Sequence, residues 1–134
     1  MTDAPAPTFF IDRSVGNRTV VERLREAGWV CVTMRERYGE RSAQELADVD
    51  WIADASAVGE VLLTADKRIA KRPLEAAAVR ATAAQVFALG NNNSTGAASA
   101  EQFLRSEAAI LRRAHEPGPW VDSVSARGLS RILG

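Results

Sequence analysis

The stretch "EVLLTADKRI" at residues 60 to 69 is the most informative in the chain, because a buried-strand pattern ends there on a carboxylate. The apolar run reaches Thr64, Asp66 follows it, and two cations come directly after the aspartate. A second stretch, "TFFIDRSVG" at residues 8 to 16, ends a short apolar strand on Asp12 in the same way. Two strands that each end on a carboxylate predict that the fold brings both side chains to one place.

The rest of the chain alternates between strand and helix patterns. Further strands are predicted at residues 29 to 33 and 85 to 89, and helices at residues 17 to 28, 48 to 59, 73 to 84 and 97 to 115. Residues 34 to 47 form a polar connection with room for a turn of helix, and the tail after residue 117 is weakly strand-like. Strands separated by helices predict an α/β fold, a three-layer α/β/α sandwich around a mainly parallel sheet.

Length and composition are those of one soluble domain. The chain has 134 residues, of which 46% are hydrophobic, so we expect residues 1 to 134 to form a single domain with its core at about 8 to 125. Cys31 is the only cysteine, which excludes a disulfide framework. The N-terminus lacks the pattern of a signal peptide, and no apolar run is long enough to cross a membrane. We therefore expect a cytoplasmic protein with no membrane association.

Charge is distributed unevenly although the net charge is zero. Residues 1 to 66 contain 7 Lys or Arg and 12 Asp or Glu, whereas residues 67 to 134 contain 10 and 5. An acidic pocket beside a basic surface would have this distribution, and so would chance scatter over a solvated surface.

Four acidic residues are candidates for a common site. In a parallel sheet the functional crevice lies at the carboxyl ends of the strands, where Asp12 and Asp66 are expected to meet if their strands are neighbours. Asp48 begins the helix that leads into the third strand, and Glu36 follows the second strand. Asp48 is also a candidate N-cap of its helix, and Glu36 is equally compatible with a solvated position in a charged run.

Clustered carboxylates favour a metal site. Several ionised carboxylates in one crevice repel and raise one another's pKa unless a cation is present. Oxygen ligands without His or Cys select Mg²⁺ or Mn²⁺, which can activate water for attack on a phosphoryl group. Helical spacing places Asp48 at the edge of the buried stripe formed by Trp51, Ile52 and Ala55, so Asp48 is a better candidate ligand than Asp50 or Asp54.

The segments "FFIDRSVG" and "DVDWIADASAVGEVLLTADKRI" resemble the PIN-domain superfamily, in particular its compact branch related to VapC-type toxins and Mut7-C-like domains. The resemblance assigns metal ligation and catalysis to Asp12, Asp48 and Asp66, and places Glu36 where the family often has a further acidic residue. It implies a Mg²⁺- or Mn²⁺-dependent ribonuclease, often held in check by a small antitoxin protein.

Basic and polar residues near Asp66 are candidates for substrate contacts. Lys67, Arg68, Lys71 and Arg72 form the densest basic cluster in the sequence and are predicted to bind RNA phosphates. Thr64, Asn93 and Ser94 are predicted to give polar support to the site, although "LGNNNSTG" is equally compatible with a plain turn.

Two other functions are compatible with parts of this pattern. A receiver domain also gathers Asp, Thr and Lys at the ends of parallel strands, but it normally has an acidic pair after its first strand, where this chain has Asp12 and Arg13. A PIN-like scaffold without activity would act as a binding module. Apolar positions in the helix predicted at 97 to 115 are also compatible with a homodimer.

Overall fold

The computed structural model describes residues 6–15, 18–90 and 95–134. In the described residues the strands are β1 (Thr8–Ile11), β2 (Val30–Thr33), β3 (Val61–Thr64), β4 (Gln85–Leu89), β5 (Trp120–Ser125) and β6 (Gly128–Leu133). The helices are α1 (Arg18–Glu26), α2 (Met34–Tyr38), α3 (Glu40–Glu45), α4 (Asp48–Ala57), α5 (Pro73–Thr82), α6 (Gly96–Arg105) and α7 (Glu107–Arg113). A 3₁₀ turn covers Lys67–Ala70.

The strands form one six-stranded sheet in the order β2-β1-β3-β4-β5-β6. The first five strands are parallel to their neighbours, and β6 pairs with β5 in the antiparallel direction. The mainly parallel sheet predicted from the sequence is therefore confirmed. The strand β1 lies directly beside β3, with Ile11 opposite Leu63, which is the neighbour relation that a shared site after these strands requires.

Helices cover both faces of the sheet. Neighbouring residues of a strand point to opposite faces, so each strand contributes side chains to both cores. On one face, Leu63 and Phe87 belong to a core that also contains Leu24 of α1 and Phe103 of α6. On the other face, Leu62 belongs to a second core with side chains of α4 and α5, including Trp51 and Val79. The three-layer α/β/α architecture is the one expected.

One prediction about a helix is corrected, and one is extended. The helix predicted at 97 to 115 is interrupted at Ser106, which separates α6 from α7; serine is a weak helix former because its hydroxyl competes for backbone hydrogen bonds. The polar connection after β2 contains two short helices, α2 and α3. The first of them begins with a capping box in which the side chains of Thr33 and Glu36 bind each other's backbone N–H groups.

The strand-like tail predicted from the sequence is the hairpin of β5 and β6, which extends the sheet to Leu133. Asp122 of β5 is fully buried and accepts hydrogen bonds from Arg113 and Arg131. These two ion pairs link α7 and β6 to β5. In the part of the chain that the structure describes, no helix is both long and apolar enough to span a membrane.

Candidate acidic site

Asp12 and Asp66 lie at the carboxyl ends of two adjacent strands. Asp12 follows β1 directly, and its backbone N–H donates to the carbonyl oxygen of Leu63 in β3 at 3.1 Å. Asp66 lies two residues beyond the end of β3, where its N–H donates to the hydroxyl of Thr64 at 3.1 Å. The sheet therefore places these two residues at one edge, as the two strand endings predict.

The carboxylate of Asp12 is buried and held by two hydroxyl groups. Its Oδ1 accepts from the hydroxyl of Ser14 at 2.5 Å and from the Ser14 N–H at 3.0 Å, and its Oδ2 accepts from the hydroxyl of Thr64 at 2.6 Å. The hydroxyl of Ser14 also accepts from the N–H of Ala65, so it ties the end of β1 to the end of β3. Thr64 thus contacts Asp12, as a supporting role would require. Ser14 provides a second hydroxyl contact that the sequence did not single out.

Burial controls the protonation of Asp12, a residue that is only 3% exposed. Desolvation raises the pKa of Asp12 from 3.8 to about 6, although hydrogen bonds from Ser14 and Thr64 lower it and the charge of Asp48 contributes a small further rise. The expectation that clustered carboxylates raise one another's pKa therefore describes only a minor part of the effect, since burial is the main cause.

Asp66 is held by two arginines. Its Oδ1 accepts from the backbone N–H of Arg68 at 3.0 Å, which caps the 3₁₀ turn, and from Nε of the same residue at 3.1 Å. Its Oδ2 lies 2.9 Å from Nη1 of Arg72. Desolvation opposes ionisation, but the hydrogen bonds from Arg68 and the charge of Arg72 outweigh it and lower the pKa of Asp66. For Asp66 the predicted rise in pKa is wrong, because the neighbouring charges that dominate are positive.

Asp48 faces the same arginine. Its Oδ2 lies 3.7 Å from Nη1 of Arg72, and its Oδ1 accepts from the indole N–H of Trp51 at 2.9 Å. The interpretation of Asp48 as an N-cap is wrong, since Ala47 is the N-cap and Asp48 is the first residue of α4. The Asp48 carboxylate is therefore directed to side chains of the site rather than to the start of its own helix.

Arg13, which the sequence did not single out as a site residue, joins the site to the α3–α4 connection. Its guanidinium donates to the carbonyl oxygens of Ala43 at 2.8 Å and Leu46 at 2.9 Å, and lies 3.5 Å from Oδ1 of Asp48. Only the tertiary fold reveals this role, because the contacts cross about thirty positions of sequence. Beside Arg13 and Asp12 lies a cleft of about 230 Å³, whose further lining residues are Thr33, Met34, Arg35, Glu40, Ala43 and Gln44.

Glu36 has a separate set of partners. Its carboxylate accepts from Arg25 at 2.8 and 3.0 Å and from the backbone N–H of Thr33 at 2.9 Å. Hydrogen bonding and charge from Arg25 lower the pKa of Glu36. These contacts fix the start of α2 and do not join Glu36 to the other three acidic residues, so its predicted catalytic role gains no support from the geometry.

The predicted basic cluster is divided in two. Arg68 and Arg72 bind the carboxylate of Asp66, as described above, and are not free phosphate ligands in this arrangement. Lys67 and Lys71 are exposed, and neither forms an ion pair within the described residues. Asn93 and Ser94, predicted as polar support, lie outside the described residues.

The donor set fits a hard cation in its chemistry, but an arginine takes the cation's place. Within residues 6–15, 18–90 and 95–134, no three His, Cys, Asp or Glu side chains form a group arranged to hold a metal ion. One nitrogen of Arg72 instead lies between the carboxylates of Asp48 and Asp66. Asp12 accepts three hydrogen bonds of the roughly four that a carboxylate can accept, and it has no cationic partner among the described residues. Carboxylate oxygens are the ligand type that Mg²⁺ and Mn²⁺ prefer.

Comparison with known proteins identifies the family to which this chain belongs. A family model described as "PIN like domain" matches residues 7–91, which include β1 to β4 and all three carboxylates of the site. The chain belongs to the PIN-like family, and the resemblance stated from its sequence is confirmed; the receiver-domain alternative is set aside.

A relative of this chain is known by name. The chain is 36% identical over 124 residues to a Mycobacterium tuberculosis protein named "Putative ribonuclease VapC45", and the match covers 92% of this chain and 90% of that protein. A comparison with solved structures finds no match.

Proposed function

We propose that this protein is a metal-dependent endoribonuclease of the VapC type, the toxin of a toxin-antitoxin pair. The observation that carries the proposal is the 36% identity to a relative named as a ribonuclease, because it extends over nearly the whole of both chains. Three carboxylates at one edge of the sheet supply the oxygen ligands that such an activity needs. RNA is the proposed substrate, and a small antitoxin protein is the proposed partner.

Asp12, Asp48 and Asp66 are the residues that would hold Mg²⁺ or Mn²⁺. When bound, the ion supplies an activated water and stabilises the negative charge that develops on the phosphoryl oxygens. Asp12 is fixed by Ser14 and Thr64, so its carboxylate is oriented before any ligand binds. Preorganisation of this kind lowers the barrier because less rearrangement is needed during the reaction.

Lys67 and Lys71 are the proposed phosphate contacts. Both belong to the segment that follows Asp66 directly, and both side chains are exposed. Positive charges beside the site attract the RNA backbone without reading its sequence. The lysines leave base recognition to other surfaces, such as the cleft beside Asp12 and Arg13.

The test is cleavage of single-stranded and structured RNA by the purified protein, with Mn²⁺ and with a chelator. The matched control is Asp66→Asn, which removes one ligand charge and keeps the size of the side chain. We expect cleavage only by the wild type with metal. Metal-independent cleavage, or equal rates for the variant, would contradict the assignment.

A binding module without activity is the second candidate function. The position of Arg72 between Asp48 and Asp66 favours it, because a site whose carboxylates are neutralised by an arginine need not bind metal at all. Thermal unfolding separates the two functions, since a metal that binds only the folded state stabilises it by about 2.7 kcal/mol at a hundredfold excess over Kd. An unchanged Tm with Mn²⁺ would favour the binding module.

The toxin assignment has its own test. Expression of the wild-type chain in bacteria should arrest growth, and Asp66→Asn should not. If a short reading frame lies adjacent to its gene, co-expression of that reading frame should relieve the arrest. Growth arrest by both forms would show that the effect does not come from this site.

A further inference from the structure

Among the described residues, Arg72 is the cation that contacts both Asp48 and Asp66, whereas Arg13 contacts only Asp48 and Arg68 only Asp66. Its Nη1 lies 2.9 Å from Asp66 and 3.7 Å from Asp48, the two carboxylates that come from different elements, α4 and the turn after β3. The residue precedes α5 directly, and its side chain is about one third exposed. A side chain in this position can leave for solvent without disturbing the core.

A third carboxylate offers Arg72 a second position. Oε2 of Glu75, three residues further along the first turn of α5, lies 3.6 Å from the same nitrogen. Arg72 is the N-cap of α5 and Glu75 lies in its first turn, so Arg72 can keep this contact if it moves away from Asp48 and Asp66. Glu75 is itself partly buried, with a side chain only 19% exposed.

We infer that Arg72 is a positioning residue that sets the metal affinity of the site by competing for Asp48 and Asp66. If Asp48 and Asp66 held a divalent ion, its charge would oppose that of the guanidinium, and Glu75 would remain as a carboxylate partner for Arg72. Arg72 would then be available to an RNA phosphate, whereas without metal it stays paired with the two aspartates. The inference rests on the proposed function, because it concerns the metal that this function requires.

The first measurement is the Kd of Mn²⁺ for the purified protein by calorimetry, without RNA. Arg72→Met keeps the apolar stem and removes the competing charge. Partly exposed ion pairs are weak, so we expect the Kd to fall roughly three- to tenfold. The matched control is Lys71→Met, which removes the same charge one residue earlier from a side chain with no ion pair among the described residues. It should change the Kd by less than about twofold, because solvent and salt screen exposed charges.

The second measurement removes the alternative position. Glu75→Gln leaves Arg72 with only Asp48 and Asp66, so Mn²⁺ should bind more weakly than to the wild type. In the double variant Arg72→Met/Glu75→Gln this loss should largely disappear, because no arginine remains to be displaced. A loss that stays equally large in the double variant would show that Glu75 acts only through its own charge and would overturn the proposed withdrawal.

The outcomes separate this inference from the proposed function. Wild-type cleavage with Mn²⁺, together with equal Kd values for Arg72→Met and Lys71→Met, would overturn the role of Arg72 and leave the nuclease standing. Metal binding by Arg72→Met but not by the wild type would support the inference in its strongest form. Absence of Mn²⁺ binding in both would overturn the inference and the metal-dependent function together. Circular dichroism checks that each variant is folded, and Arg72→Gln takes the place of Arg72→Met in both measurements if Arg72→Met is not.

Discussion

Asp12→Asn should change the pH dependence of stability in a direction fixed by burial. The folded protein holds the Asp12 proton up to a pKa of about 6, whereas the ordinary value is 3.8. Between these values the unfolded chain releases a proton that the folded chain keeps, so the free energy of unfolding falls as pH rises. The stabilisation is fully present below the lower value and is lost once the pH has risen through the upper one.

The magnitude follows from the two pKa values. Each unit of pKa difference corresponds to about 1.4 kcal/mol, so this one group should lower the free energy of unfolding by about 2.5 kcal/mol between pH 4 and pH 7. Asn cannot ionise, and its amide can rearrange the hydrogen bonds with Ser14 and Thr64 at a cost of about 1 kcal/mol. The variant should therefore be slightly less stable than the wild type at pH 4 and more stable at pH 7.

The assay is urea unfolding at several pH values in the presence of a chelator. Asp50→Asn is the matched control, because it makes the same substitution at an exposed position of α4. The curve of the control should follow that of the wild type, and the curve of Asp12→Asn should be flatter. Parallel curves for the wild type and Asp12→Asn would contradict this prediction, because they would mean that the folded protein does not hold a proton on Asp12.

Three further predictions concern metal ligation by Asp66, RNA binding by the two lysines and the ion pair between Arg37 and Glu60. Asp66→Asn should abolish Mn²⁺-dependent RNA cleavage and the rise in Tm with Mn²⁺, and a rise equal to that of the wild type would exclude Asp66 as a ligand. Replacing Lys67 and Lys71 together with Ala should weaken RNA binding and reduce its salt slope by about 1.4, since each phosphate contact on a single strand contributes about 0.7; an unchanged slope would show that the lysines do not touch phosphate. Arg37→Met should cost about 3 to 5 kcal/mol in urea unfolding, because it leaves the 7% exposed carboxylate of Glu60 without the guanidinium that pairs with it, and a loss below 1 kcal/mol would contradict a buried ion pair.

Local sequence patterns predicted the elements that depend on short-range physics. The strand endings at Asp12 and Asp66 could be predicted because each apolar run ends shortly before a charged residue. Pro73 marked the start of α5, where its missing N–H is not needed. The signal for α2 was also present, since Thr33 and Glu36 have the spacing of a capping box, but the charged run around them masked it.

The composition of the acidic site depended on distances that no local pattern contains. The sequence placed carboxylates after β1 and β3, and it favoured Asp48 over Asp50 as their companion, a choice that stays a prediction. Three features emerge only from the folded protein: Arg72 lies between Asp48 and Asp66, Arg25 pairs with Glu36 away from the other acidic residues, and burial rather than mutual repulsion raises the pKa of Asp12. The physical reason is that hydrophobic periodicity fixes which side of an element is buried, whereas the partner of a charge depends on where other elements place their long side chains.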